Sequence, residues 1–89
     1  MGRRDSKARI PLLGDVVERH RKRIGASKIA LSYGSGMSYN YIGRIARGER
    51  LLSTKALSLL ASPDLLGDEF ALDYLRTLRD IMGAEGHTD

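Results

Sequence analysis

Apolar residues recur at spacings of three and four along most of this chain, and glycine, serine and proline cut that pattern into five segments. Such a repeat returns side chains to the same face of an α-helix, and no segment shows the alternation of a half-buried strand. The chain is therefore expected to be all-α, a compact bundle of about five short helices.

Ile10, Leu13, Val17, His20 and Ile24, with Val16 beside them, mark one face of a first helix. Pro11 suits its first turn, where a missing N–H is harmless, and Gly25 ends it. His20 on this stripe reads as a partly buried structural histidine, and Arg21, Lys22 and Arg23 as a solvated basic end. Ser27 can cap a second helix over residues 28–35, which Gly34 and Gly36 break. Ser38 can cap a third over residues 39–47, and Gly48 ends it in the left-handed conformation. Ser53 or Thr54 caps a fourth over residues 55–61, with Leu57, Leu60 and Ala61 inward, and Pro63 stops it. Asp68 and Glu69 open a fifth helix, where carboxylates complement the dipole. Its apolar stripe is Phe70, Ala71, Tyr74, Leu75, Leu78, Ile81 and Met82. The expected organisation is a basic flexible arm (1–9), a folded domain (10–61), a C-terminal helix (62–83) and a flexible tail (84–89).

Charge is divided unevenly. Residues 1–50 hold twelve Lys/Arg against four Asp/Glu, a net +8, and residues 51–89 hold three against seven, a net −4. A basic half of this kind suits a polyanionic partner. Without cysteine there is neither a disulfide framework nor a thiolate metal site. His20 and His87 are too far apart in sequence to suggest zinc, so no metal or cofactor is expected. No apolar run reaches the roughly 18–20 residues of a bilayer span, and the N-terminus lacks the apolar segment of a signal peptide. A cytoplasmic protein follows as the expectation. The serines offer no paired base or oxyanion arrangement, so no catalysis is expected.

The second and third segments carry the sharper signal. Two short helices joined by a tight glycine-containing turn describe a helix-turn-helix, whose second helix must hold to the domain and reach base edges together. Met37, Tyr41 or Ile42, and Ile45 can anchor it, while Tyr39, Asn40, Gly43, Arg44 and Arg47 can face outward, with Gly43 allowing close approach of the backbone. The run "GASKIALSYGSGMSYNYIGRIARGERLLSTKALSLLA" resembles the DNA-binding domain of the lambda repressor/Cro-type (Xre-like) family. The matching residues are Gly36, Met37, Ser38, Tyr41, Ile42, Arg44, Ile45, Arg47, Gly48 and Arg50, then Ser53 and Leu57, with Arg21, Gly25 and Ser27 upstream. The similarity covers about residues 12–61.

The chain departs from the family pattern at Ser32 and Ser35, where a small residue and a leucine are usual, and at His20, where leucine is. A rival register through Ile29, Ala30, Tyr33 and Gly34 fits that half better but lengthens the turn by two residues. The ungapped register is preferred because it puts Ser27 and Ser38 at caps. The resemblance implies base contacts from Tyr39, Asn40 and Arg44 and backbone contacts from Lys28, Ser38, Arg47 and Arg50. It also implies a groove-following arm of Arg3, Arg4, Lys7 and Arg9. Arginine can pair twice with guanine and asparagine twice with adenine.

Helices one to four are expected to form a compact unit alone. The stripe of Phe70, Tyr74, Leu75, Leu78, Ile81 and Met82 is then expected to pack against a second copy, with Asp64, Asp68, Glu69 and Asp73 keeping it away from phosphates. The resulting expectation is a homodimeric repressor on a palindromic operator in double-stranded DNA, of the kind found on mobile elements. The alternative is an antitoxin or antirepressor that grips a protein partner through the C-terminal helix. RNA binding is permitted by the charge and not favoured by the motif.

Overall fold

Ser27, Ser38 and Ser53 turn the chain into a helix in the same way. Each has extended backbone, and its Oγ accepts a hydrogen bond from the N–H three residues on: 3.0 Å from Ala30, 3.1 Å from Tyr41 and 3.1 Å from Ala56. Such a cap satisfies an N–H with no partner inside the helix, and its loss costs about 1 kcal/mol. Thr54, the other candidate cap of the fourth helix, is instead its first residue.

The computed structural model describes the backbone of residues 2–86 and the side chains of residues 11–83. Its helices are α1 (Gly2–Arg23), α2 (Lys28–Ser35), α3 (Tyr39–Ala46), α4 (Thr54–Leu60) and α5 (Gly67–Gly86). No strand occurs among the described residues, so the fold is all-α, although α1 and α5 are long at 22 and 20 residues.

Three local expectations change. α1 begins at Gly2 and not near Ile10, so Arg3, Arg4, Lys7 and Arg9 stand on helical backbone where a flexible arm was expected; their side chains lie outside the described residues. Arginine, lysine and alanine are good helix formers, and Pro11 removes one N–H from the helix interior without ending it. α5 continues to Gly86, past the expected tail boundary at residue 84, and residues 87–89 lie outside the described residues. Gly34 lies within α2 and does not break it. A Cβ there would come within 2.5 Å of Leu65 Cδ2, so its bare face admits the segment between α4 and α5.

α1 packs on α5 and α3, α2 on α3 and α4, and α4 on α5. Leu13, Val16 and Val17 of α1 meet Leu31 of α2, Ile42 and Ile45 of α3, Leu60 of α4, and Leu66, Phe70 and Tyr74 at and just before α5 in one core. This corrects the assignment of Phe70 and Tyr74 to a dimer interface. They are 0 % and 1 % exposed and fill the middle of the monomer, so α1–α4 alone do not close a core. The Phe70 ring lies edge-on to His20, with centroids 5.7 Å apart, and 5.8 Å from the ring of Tyr74. The Tyr74 hydroxyl accepts from the Leu52 N–H at 3.0 Å, which ties the segment after α3 to α5. Leu78 and Ile81 are half-buried at the core's edge. Leu75 (49 %) and Met82 (63 %), joined by Leu72 (60 %), remain outside. A stripe wider than one line of contact divides in this way.

Polar side chains reinforce the same packing. Arg23 Nη2 donates to Nδ1 of the buried His20 at 3.2 Å, and His20 Nε2 donates to Asp73 Oδ2 at 2.8 Å, where Arg19 Nη2 also donates at 2.6 Å. Because arginine is only a donor, this chain of bonds selects the Nε2–H tautomer. Arg21 grips Glu18 through Nε and Nη2, both at 2.8 Å, and donates from Nη1 to the Ala26 carbonyl at 2.9 Å. Arg21 is therefore a clamp on the α1–α2 turn, while Lys22 and Arg23 are exposed as the sequence suggested.

These contacts make stability depend on acid. The Arg21 hydrogen bond holds the Glu18 carboxyl below its ordinary value, and His20, then Arg19, do the same for Asp73. Both carboxyls are more acidic folded than unfolded. Their contribution is present above the ordinary carboxylate range of about 4 and is lost as pH falls through the lower folded values. Thermal denaturation from about pH 6 to 3 is expected to show a midpoint that drops below about pH 4, and less steeply in Glu18→Gln. An unchanged slope in that variant would remove Glu18 from this linkage.

Candidate nucleic-acid interface

Between α2 and α3 the chain turns in three residues, Gly36, Met37 and Ser38. Gly36 has φ 77°, a left-handed conformation that favours glycine, and its N–H closes α2 on the Ser32 carbonyl. Ser32 and Ser35 are used as fasteners. Ser35 Oγ is buried, donates to the Leu31 carbonyl at 2.6 Å and accepts from the Met37 N–H at 3.2 Å. Ser32 Oγ donates to the Met37 carbonyl at 2.5 Å. The turn is thus held by hydrogen bonds at the places where apolar packing was expected. Ser27 and Ser38 both cap, the positions for which the ungapped register was preferred.

α3 has two edges of opposite character. Ile42 and Ile45 are buried, and Met37 and Tyr41 pack half-buried beside them, as anchors must. Tyr39, Asn40 and Arg44 are exposed on the other edge. Lys28 opens α2 half-buried, and Arg50 is exposed in the loop beyond α3. Ser38 caps α3 with its oxygen as acceptor, which leaves its O–H as a donor. Exposed Ile29 and Tyr33 of α2 join Ser32 and Tyr39 around a shallow hollow between the two helices.

Two residues near the end of α3 differ from expectation. Gly43 is buried and not presented outward. A Cβ on it would come within 3.1 Å of Arg47 Nη1, so the arginine lies back across this glycine. Arg47 Nε and Nη2 donate to the two carboxylate oxygens of Glu49, at 2.8 and 3.4 Å. Each partner shifts the other: the bond raises the guanidinium's value and lowers the carboxyl's. Backbone geometry fixes Glu49 there, because its N–H donates to the Arg44 carbonyl at 2.8 Å while Gly48 turns with φ 74°. Arg47, expected to contact a phosphate, is thus already paired.

The residue that sets the position of α3 was not singled out from the sequence. Gly14 of α1 is buried, and a Cβ on it would fall 2.6 Å from the Ala46 carbonyl oxygen and 2.7 Å from the Gly48 nitrogen. α1 therefore lies directly on the backbone at the end of α3. An isolated glycine inside a helical pattern, away from any turn, is the signal that could have found it.

Among the described residues no group of three or more His, Asp or Glu side chains could hold a metal ion. No described helix is long and apolar enough to cross a membrane. Comparison with protein-family models, with curated proteins and with solved structures finds no match.

Proposed function

We propose that the chain is a sequence-specific, double-stranded DNA-binding regulator that acts as a homodimer in the cytoplasm and represses by occupying a two-fold operator. One observation carries the reading. α3 follows a fastened three-residue turn with its apolar edge buried and with Tyr39, Asn40 and Arg44 exposed along the other edge. Those side chains suit base edges in the major groove: Arg44 two-point bonds to guanine, Asn40 to adenine, and Tyr39 apolar contact with a thymine methyl. Lys28, Ser38 and Arg50 supply phosphate contacts that set register without reading sequence. In a dimer the two α3 helices would lie about 34–36 Å apart, one turn of the duplex.

The second copy would dock on Leu75 and Met82, the part of the α5 stripe left outside the core, together with exposed Leu72. That exposed edge also favours a second reading, in which it grips a different protein and DNA binding is secondary. Light scattering of the purified chain separates the two, a dimer supporting the first reading and a monomer the second.

Arg44→Ala is expected to cost about 1–3 kcal/mol on the preferred duplex and to relax preference at one base pair. Lys28→Ala should weaken all duplexes alike and lower the salt slope by about 1. Titration of labelled duplexes at several salt concentrations measures both. Binding of the preferred duplex by Arg44→Ala as tight as wild type would rule out Arg44 as a reading residue.

A further inference from the structure

We infer that Glu49 is a specificity-determining residue that occupies Arg47 and so withholds it from sequence-independent phosphate contact. The inference rests on the DNA-binding reading of α3. Its basis is the seat built for the pair. Gly43 offers the bare surface across which Arg47 folds back, the Arg44 carbonyl holds Glu49 by its N–H, and both oxygens of the carboxylate receive the guanidinium. A carboxylate fixed at the end of the reading helix is unexpected on a surface meant to attract phosphates, unless it has work to do there.

Its work follows from the physics of polyanion binding. Each cation that meets a phosphate releases condensed counterions and adds about 0.9 to the slope of log affinity against log salt, whatever the sequence. With Glu49 in place, Arg47 adds little to a loosely docked complex, and the carboxylate stands against the duplex backbone. The pair is exposed, 53 % on each side chain, so it is weak enough to exchange when a well-registered duplex offers Arg47 a better partner. Glu49 thereby lowers the affinity for random duplex more than that for the preferred one.

The test uses the full chain, a random-sequence duplex and a duplex enriched from a random pool by the wild type, titrated from about 50 to 200 mM salt. Glu49→Gln is expected to bind the random duplex about three- to tenfold more tightly near 0.1 M salt, with a slope steeper by about 0.9. The enriched duplex should gain less, so the ratio between the two falls. In Arg47→Gln the same Glu49→Gln change should give a clearly smaller gain, that of the lost carboxylate alone, and the difference assigns the rest to the released arginine. Unchanged affinity and slope in Glu49→Gln, or a gain equally large without Arg47, overturns the inference. If the wild type holds neither duplex at any salt, it is the reading of α3 as a DNA-binding helix that has failed.

Discussion

Phe70→Ala is expected to cost about 3–5 kcal/mol in unfolding free energy, a large part of the roughly 5–15 kcal/mol available to a domain. The ring is fully buried, edge-on to His20 and beside Tyr74, where α1, α4 and α5 converge. Truncation leaves a void whose walls belong to several helices and cannot all close on it. Urea denaturation followed by circular dichroism measures the loss, and Leu75→Ala, on the exposed side of the same helix, serves as the contrast. Leu75→Ala should change the unfolding free energy by less than about 1 kcal/mol. The opposite pattern, with Phe70→Ala leaving the fold intact while splitting a dimer, would return Phe70 to the interface first expected for it.

Gly14→Ala is expected to destabilise by about 1–3 kcal/mol or more, although alanine is the better helix former. The added methyl would meet backbone atoms of Ala46 and Gly48 that no rotamer change can move aside. Either α1 lifts or the end of α3 shifts, so duplex binding should weaken even at temperatures where the variant is fully folded. Gly83→Ala is the internal control. Nothing lies within 4 Å of a Cβ there, and the same substitution should stabilise α5 by a few tenths to about 1 kcal/mol. Equal effects at the two glycines would mean that α1 does not set the position of α3.

Local chemistry made much of this fold readable. Ser27 and Ser38 were legible as caps because the cap bond spans three residues, and Ile42 and Ile45 as anchors because three residues nearly complete a helical turn. The division of α3 into a buried edge and an exposed edge of Tyr39, Asn40 and Arg44 followed from spacing for the same reason.

What escaped depends on partners distant in the chain or on a choice among neighbours. Periodicity says that Phe70, Tyr74, Leu75 and Met82 share a broad stripe, but not which part of it α1 and α4 cover. Gly14 matters through Ala46 and Gly48, more than thirty positions away. Asp73, expected to fend off phosphates, is engaged by Arg19 and His20 across α1 and α5. Arg21 and Arg47 read as surface cations, because a charge in sequence carries no sign of the carboxylate its side chain will find, Glu18 in one case and Glu49 in the other.

The role assigned to α3 is tested most directly by selecting duplexes from a random pool with the full chain and, in parallel, with Arg44→Ala. The wild type should enrich a two-fold related motif with half-sites about 10 base pairs apart, and Arg44→Ala should lose preference at one base pair of each half-site while keeping the rest. No enrichment by the wild type, or an identical motif from Arg44→Ala, would contradict the assignment of α3 as the helix that reads DNA.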